Sequence, residues 1–100
     1  MKNIVLVCTM GISTAFTVKD MMKTVKKKNL NINIKAIAAD HLASTIDSAD
    51  LVLLTPPMLS RLTEVKEITD GHVPVVMISA DHYIKYDGDA ILEEALLQLN

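Results

Sequence analysis

The sequence predicts an α/β protein, a four-stranded parallel sheet flanked by helices on both faces. Two apolar runs without alternation, Ile4-Val5-Leu6-Val7 and Leu51-Val52-Leu53-Leu54, read as strands buried on both faces, the mark of a parallel sheet. Segments with helical periodicity separate the strands, giving β-α-β-α-β-α-β-α. Half of the 100 residues are apolar, enough for one core without disulfides or metal, so residues 1–100 are expected to form a single domain.

The first strand is expected over 3–8 and ends at Cys8. A turn over 9–13 leads to a helix over about 14–28, with Ser13 or Thr14 as N-cap and Ala15, Val18, Met21, Met22 and Val25 as its apolar stripe. Lys26, Lys27 and Lys28 sit in the last turn, where cations oppose the carboxyl-end dipole, and read as a solvated helix end. Residues 32–38 alternate, with Ile32, Ile34 and Ala36 inward and Asn33 and Lys35 outward, as an edge strand does. A short helix around 41–47 turns Leu42 and Ile46 inward. The third strand, 51–55, ends at Pro56-Pro57, and a helix over 57–69 carries Met58, Leu59, Leu62, Val65 and Ile68. Asp70-Gly71 closes that helix, Val73 to Ile78 forms the fourth strand, and 79–87 read as a loop. Asp87 caps the last helix, 88–99, whose buried face is Ile91, Leu92, Ala95, Leu96 and Leu99.

Because the second strand alone alternates, it belongs at an edge, and the flavodoxin-like order 2-1-3-4 puts it there. In that order the winding reverses between the first and third strands. Ligands of such sheets bind beyond the carboxyl ends of the strands at this reversal. Cys8 ends the first strand and Thr55-Pro56 the third, so topology and motif meet at one place.

The stretch Cys8-Thr9-Met10-Gly11-Ile12-Ser13-Thr14 is a thiol at a strand end, then a Gly-containing turn with hydroxyls, then a helix. Backbone N–H groups in such a turn, with the unpaired donors of the helix start, form a cradle for an anion. The same donors favour a thiolate and would bind phosphoryl oxygens. Gly11 allows close backbone approach. Phosphoryl transfer onto and off sulfur fits this set, with positioning and charge stabilisation as the catalytic terms. The plain alternative is a buried, inert cysteine in a non-catalytic regulatory domain.

Composition excludes other classes. A net charge of −2 and only three aromatics, Phe16, Tyr83 and Tyr86, give no footprint for nucleic acid and little to sandwich a flavin ring. One cysteine makes neither a disulfide nor a thioredoxin-type pair, and nothing has zinc-ligand spacing, so no metal or cofactor is expected. No stretch is long and apolar enough for a membrane span, and the protein is expected to be cytoplasmic without direct membrane insertion. Low-molecular-weight phosphatases share the expected topology and use a Cys-x5-Arg loop whose guanidinium grips phosphate. Here Thr14 stands in the arginine's place, which argues against a phosphatase-like hydrolase although Asp81 lies in the segment of its general acid. A response regulator would need an Asp where Thr55 stands.

The chain resembles the IIB component of the bacterial sugar phosphotransferase system, lactose/cellobiose type. The residues that carry the likeness are Ile4-Val5-Leu6-Val7-Cys8, Gly11 with Ser13-Thr14, Asp50-Leu51-Val52-Leu53-Leu54 with the proline beyond it, and Tyr83 with Asp87-Gly88. The resemblance implies that Cys8 is phosphorylated by a phosphohistidine of the IIA partner and passes the group to a sugar of the lactose/cellobiose-like oligosaccharide class held by the membrane component IIC. It implies a phosphate-binding loop of Thr9, Met10, Gly11, Ile12, Ser13 and Thr14, and a protein acting as a monomer.

His41 and His82 lie beyond strand carboxyl ends and His72 at the opposite pole; each reads foremost as a surface histidine. Tyr83 either flanks the loop or covers the core edge, and Tyr83 and His82 are the candidates for a supporting layer around Cys8. Met10 and Ile12 are expected to form a docking patch, and Phe16 to be core.

Overall fold

In a computed structural model, residues 1–8, 11–85 and 87–99 are described, with residues 11–14 described by their backbone only. Strand β1 (Lys2–Cys8) pairs in parallel with β2 (Ile32–Ala38) along its whole length, Lys2 opposite Ile32 and Cys8 opposite Ala38. Its other edge pairs with β3 (Leu51–Leu54), Ile4 opposite Leu51 and Val7 opposite Leu54, and β3 pairs in turn with β4 (Val75–Met77). The order is β2-β1-β3-β4, as the burial patterning of the sequence implies. Asp50 fixes the β1–β3 register from below: its N–H donates to the Asn3 carbonyl, and its Oδ2 accepts from the Asn3 N–H, both at 2.7 Å.

Strand alternation sorts the core into two layers. Ile4, Leu6, Ile32, Ile34, Leu51, Leu53 and Ile78 face helices α1 (Gly11–Lys27) and α5 (Gly88–Leu99), which contribute Met21, Val25, Ile91, Leu92 and Ala95. Val5, Val7, Val52, Leu54 and Val73 face the other side and meet Leu42, Met58 and Val65. Full burial of each such Leu, Ile or Val stabilises the fold by about 1.5–3 kcal/mol.

The element boundaries differ from expectation in instructive places. Helix α1 already begins at Gly11, so Ser13 and Thr14 belong to its first turns and are not its cap. The helix expected at 41–47 is a broken run, a 3₁₀ turn Ala39–His41, α2 (Leu42–Thr45) and a second 3₁₀ turn Ile46–Ser48. Beyond β3 the chain first makes a 3₁₀ segment, Pro56–Arg61, and only then α3 (Leu62–Thr69). At three residues per turn Leu59 leaves the face of Met58, so Leu59 is 64% exposed rather than core. Asp70 and Gly71 end α3 at φ 46° and 77°, the left-handed stop expected there.

Strand β4 is shorter than 73–78, though Val73 and Ile78 are buried at either side of it. The segment expected as a loop holds α4 (Ala80–Ile84), started by the Tyr83 N–H donating to the Ser79 carbonyl at 3.0 Å. Phe16, expected in the core, is 66% exposed. Thr17 and Thr24 take part in α1's buried face with Met21 and Val25, which turns Phe16, and Ala15 with it, outward. At α5 the Ala90 N–H donates to Asp87 Oδ1 at 3.1 Å, the predicted cap.

Candidate functional site

The site is built from the carboxyl ends of β1 and β3. Cys8 follows Ile4 and Leu6 in the alternation, so its side chain belongs to the α1/α5 side of the sheet, where it is 2% exposed. Its Sγ donates to the Ile37 carbonyl of β2 at 3.6 Å, a weak bond typical of a thiol. Thr55, directly beyond β3 and fully buried, reaches the same end of β1 from the opposite side. Its N–H and its Oγ1 both donate to the Val7 carbonyl, at 3.2 and 3.1 Å. The peptide that leads into Cys8 is therefore held from β2 and from β3 at once.

Helix α1 starts three positions after Cys8, and the first N–H groups of a helix have no carbonyl partner within it. With the macrodipole, they make this end of α1 favourable to negative charge. Gly11 is the first helical residue. Thr9 and Met10 lie outside the described residues, as do the side chains of Ile12, Ser13 and Thr14, including the docking patch expected of Met10 and Ile12.

The elements that follow β3 and β4 leave from the same pole of the sheet. The 3₁₀ segment Pro56–Arg61 packs against β1. Tyr83 of α4 is half-buried and packs against the core layer that Ile4 and Leu6 belong to, so it covers a core edge on Cys8's side of the sheet. His82 has a definite partner: its Nδ1 lies 2.8 Å from Glu94 Oε2, while Glu94 Oε1 accepts from the Ser79 N–H at 3.2 Å. One carboxylate of α5 thus holds both the start and the middle of α4. The hydrogen bond to Glu94 raises the His82 pKa above its ordinary 6.5 against the lowering effect of desolvation, and the charge of Glu94, with Asp87 and Asp81 behind it, adds to the rise.

Other candidates lie elsewhere. His41 is exposed in the 3₁₀ turn after β2, and His72 is exposed before β4, at the opposite pole. His72 lines a cavity of about 280 Å³ with Ile46, Asp47, Ala49 and Val73, remote from the strand ends that carry Cys8. The single arginine, Arg61, makes a two-point bond with Glu64, at 2.8 and 2.9 Å, and lies 3.8 Å from Asp40. Among the described residues no three His, Cys, Asp or Glu side chains group as metal ligands, and no helix is long and apolar enough to cross a membrane.

The sequence places Cys8 at the end of β1 but starts α1 three residues late, and it does not reach the roles of Thr55 and Glu94. The sequence reads Thr55 as the end of the third strand at the winding reversal and as a residue that is not Asp, and nothing in its immediate neighbours signals a hydroxyl turned onto β1. Glu94 lies on a helix face and acts on a segment that reads as loop.

Comparison with known proteins gives a consistent family. Residues 3–94 match the family described as the lactose/cellobiose-specific IIB subunit of the phosphotransferase system. The oligo-beta-mannoside-specific EIIB component of Bacillus subtilis is 31% identical over 97 residues, which is 96% of this chain and 94% of that protein. The solution structure of the cellobiose-specific IIB component from Borrelia burgdorferi superposes with a TM-score of 0.84 at 35% identity, over 99% of this chain and 92% of that one. The lactose-specific IIB domain from Streptococcus pneumoniae superposes with a TM-score of 0.87 over 99% and 98% of the two chains, and at 15% identity it bears on the fold alone.

Proposed function

The chain belongs to the lactose/cellobiose-specific IIB subunit family of the sugar phosphotransferase system, and on that premise we propose that it carries a phosphoryl group on Cys8 between IIA and IIC. Family membership implies sugar phosphotransferase activity in general, exercised with IIA and IIC components. The assignment to Cys8 is our reading. Its main support is the position of the chain's single cysteine at the carboxyl end of β1, three residues before α1, where the sheet's winding reverses.

In this reading Cys8 Sγ attacks the phosphorus of a IIA phosphohistidine; the S–P bond forms as the P–N bond breaks, and the thiol proton goes to the departing imidazole. A sugar hydroxyl on IIC then attacks the same phosphorus, the P–S bond breaks, and the hydroxyl proton returns the Cys8 sulfur to a thiol. Backbone amides of residues 9–14 hold the phosphoryl oxygens, with the Ser13 and Thr14 hydroxyls as further donors. The thiol that now donates to Ile37 must give up that bond and turn toward the helix start. His82 and Tyr83 form a supporting layer at the rim. Residues 1–100 act as one cytoplasmic domain, a monomer that neither enters the membrane nor binds nucleic acid, and the sugar is of the lactose/cellobiose-like oligosaccharide class.

A hydrolase is disfavoured, because Thr14 occupies the place of a phosphate-gripping arginine and Arg61 is engaged with Glu64. The burial of Cys8 favours a second reading, a non-catalytic regulatory domain. Sugar phosphorylation by IIC-containing vesicles, with phosphoenolpyruvate and the upstream phosphocarriers, separates the two. Carriage on Cys8 requires that the protein restore sugar phosphate formation and that Cys8→Ala restore none. Sustained transfer by Cys8→Ala defeats the assignment.

A further inference from the structure

We propose that Thr55 is the positioning residue of Cys8, an inference that rests on the reading of Cys8 as the phosphoryl carrier. Thr55 is fully buried, yet it is polar and stands where the β1–β3 ladder has ended. A buried hydroxyl without a partner is costly, and here the partner is specific: Oγ1 donates to the Val7 carbonyl at 3.1 Å. The Thr55 N–H donates to the same oxygen at 3.2 Å. One carbonyl therefore receives two donors from one residue, and it is the carbonyl of the peptide bond that carries Cys8.

The consequence follows from where the strands diverge. Past Val7 and Leu54 there is no further β1–β3 register pair, so on the β3 side the Val7–Cys8 peptide is held by Thr55, through its backbone N–H and its hydroxyl. One backbone bond leaves the peptide free to rock about it, and the hydroxyl, as a second donor to the same oxygen, removes that freedom. On the β2 side Cys8 remains in register with Ala38. With its backbone held from both flanks, Cys8 keeps χ1 as its freedom: in the rotamer present Sγ donates to Ile37, and carriage of phosphate requires one that turns Sγ toward the start of α1. Thr55 thus acts through the backbone on the direction of attack, touching neither the donor nor the sugar. Misplacement of a reacting atom by about 1 Å lowers a transfer rate by about 100-fold.

The test uses the full chain with Thr55→Val, which keeps the shape and removes the hydroxyl, and Thr55→Ser, which keeps the hydroxyl. Transfer from phosphorylated IIA should fall by about 10- to 100-fold in kcat for Thr55→Val, with KM for phosphorylated IIA unchanged, and Thr55→Ser should recover most of the rate. A normal kcat in Thr55→Val, or a Thr55→Ser as slow as Thr55→Val, overturns the proposal. If Thr55→Val does not fold, Thr55→Ala replaces it in the same comparison. Alkylation of Cys8 by iodoacetamide across pH is the second arm. A displaced rate profile in Thr55→Val and a wild-type profile in Thr55→Ser support positioning, and three superimposable profiles overturn it. This arm needs no phosphoryl donor, so a wild-type protein that takes no phosphate on Cys8 refutes the carrier reading while the role of Thr55 is still decided.

Discussion

Cys8 and its neighbours show how single side chains set the chemistry at the strand ends. The thiol's position was legible from the sequence, because an unbroken apolar run marks a buried strand and the cysteine closes it. Its partners were not legible. Ile37 contributes a backbone carbonyl, which no side-chain pattern announces, and Thr55 resembles an ordinary polar residue before a proline. The sequence reads His82 foremost as a surface histidine and otherwise as a candidate for a layer around Cys8; the partner it has is Glu94, twelve positions away. That pair carries a pH dependence. The folded-state pKa of His82 is raised, so its stabilising contribution is fully present below the ordinary value of 6.5 and is lost as pH rises through the raised folded value. An NMR titration of the His82 ring should give a midpoint above 6.5, and Glu94→Gln should bring it down. A midpoint indifferent to Glu94→Gln would mean that the bond to Glu94 does not exist in solution.

Elements were read well where one period ran through them and poorly where the period changed. Helix α5 matched its expected bounds, with Asp87 as cap, because apolar spacing and capping chemistry agree there. The segments 39–48 and 56–61 mix 3₁₀ with α geometry, and a 3.6-residue stripe misassigns residues such as Leu59 in them. Helix α4 is too short for periodicity to reveal; Tyr83 packing and the Glu94 carboxylate hold it in place. Helices α1 and α5 show a polar clasp that no stripe analysis foresees. Asp20 Oδ2 accepts from the Gly88 N–H at 2.9 Å, and Thr24 bonds Asp89 beside it. A Cβ on Gly88 would stand 2.9 Å from Asp20 Cβ, so the two helices could not keep both this approach and a larger side chain. Gly88→Ala should destabilise the protein by about 1–3 kcal/mol, the usual cost of overpacking, in urea unfolding. An unchanged midpoint would show that the helices separate at little cost.

On the scale of the whole molecule, topology decides where chemistry can occur. The parallel order β2-β1-β3-β4 brings the ends of β1 and β3 side by side, and α1 leaves from the same pole. The sequence carried this order because β2 alone alternates while β1 and β3 do not. It could not carry the fit of one surface to IIA or IIC, since docking residues obey no core periodicity; the outward turn of Phe16 came from tertiary packing, with threonines filling the inner face of α1. The fold supplies a helix start that favours negative charge, a thiol three residues before it in the chain, and the sequence has Thr14 rather than an arginine there. The most direct test of phosphoryl carriage is site-resolved mass spectrometry after incubation with phosphoenolpyruvate and the upstream phosphocarriers. Carriage on Cys8 predicts one phosphoryl group, located on the Cys8 peptide and absent from Cys8→Ala. A phosphoryl group on any other residue, or a wild-type chain that gains none, would contradict it.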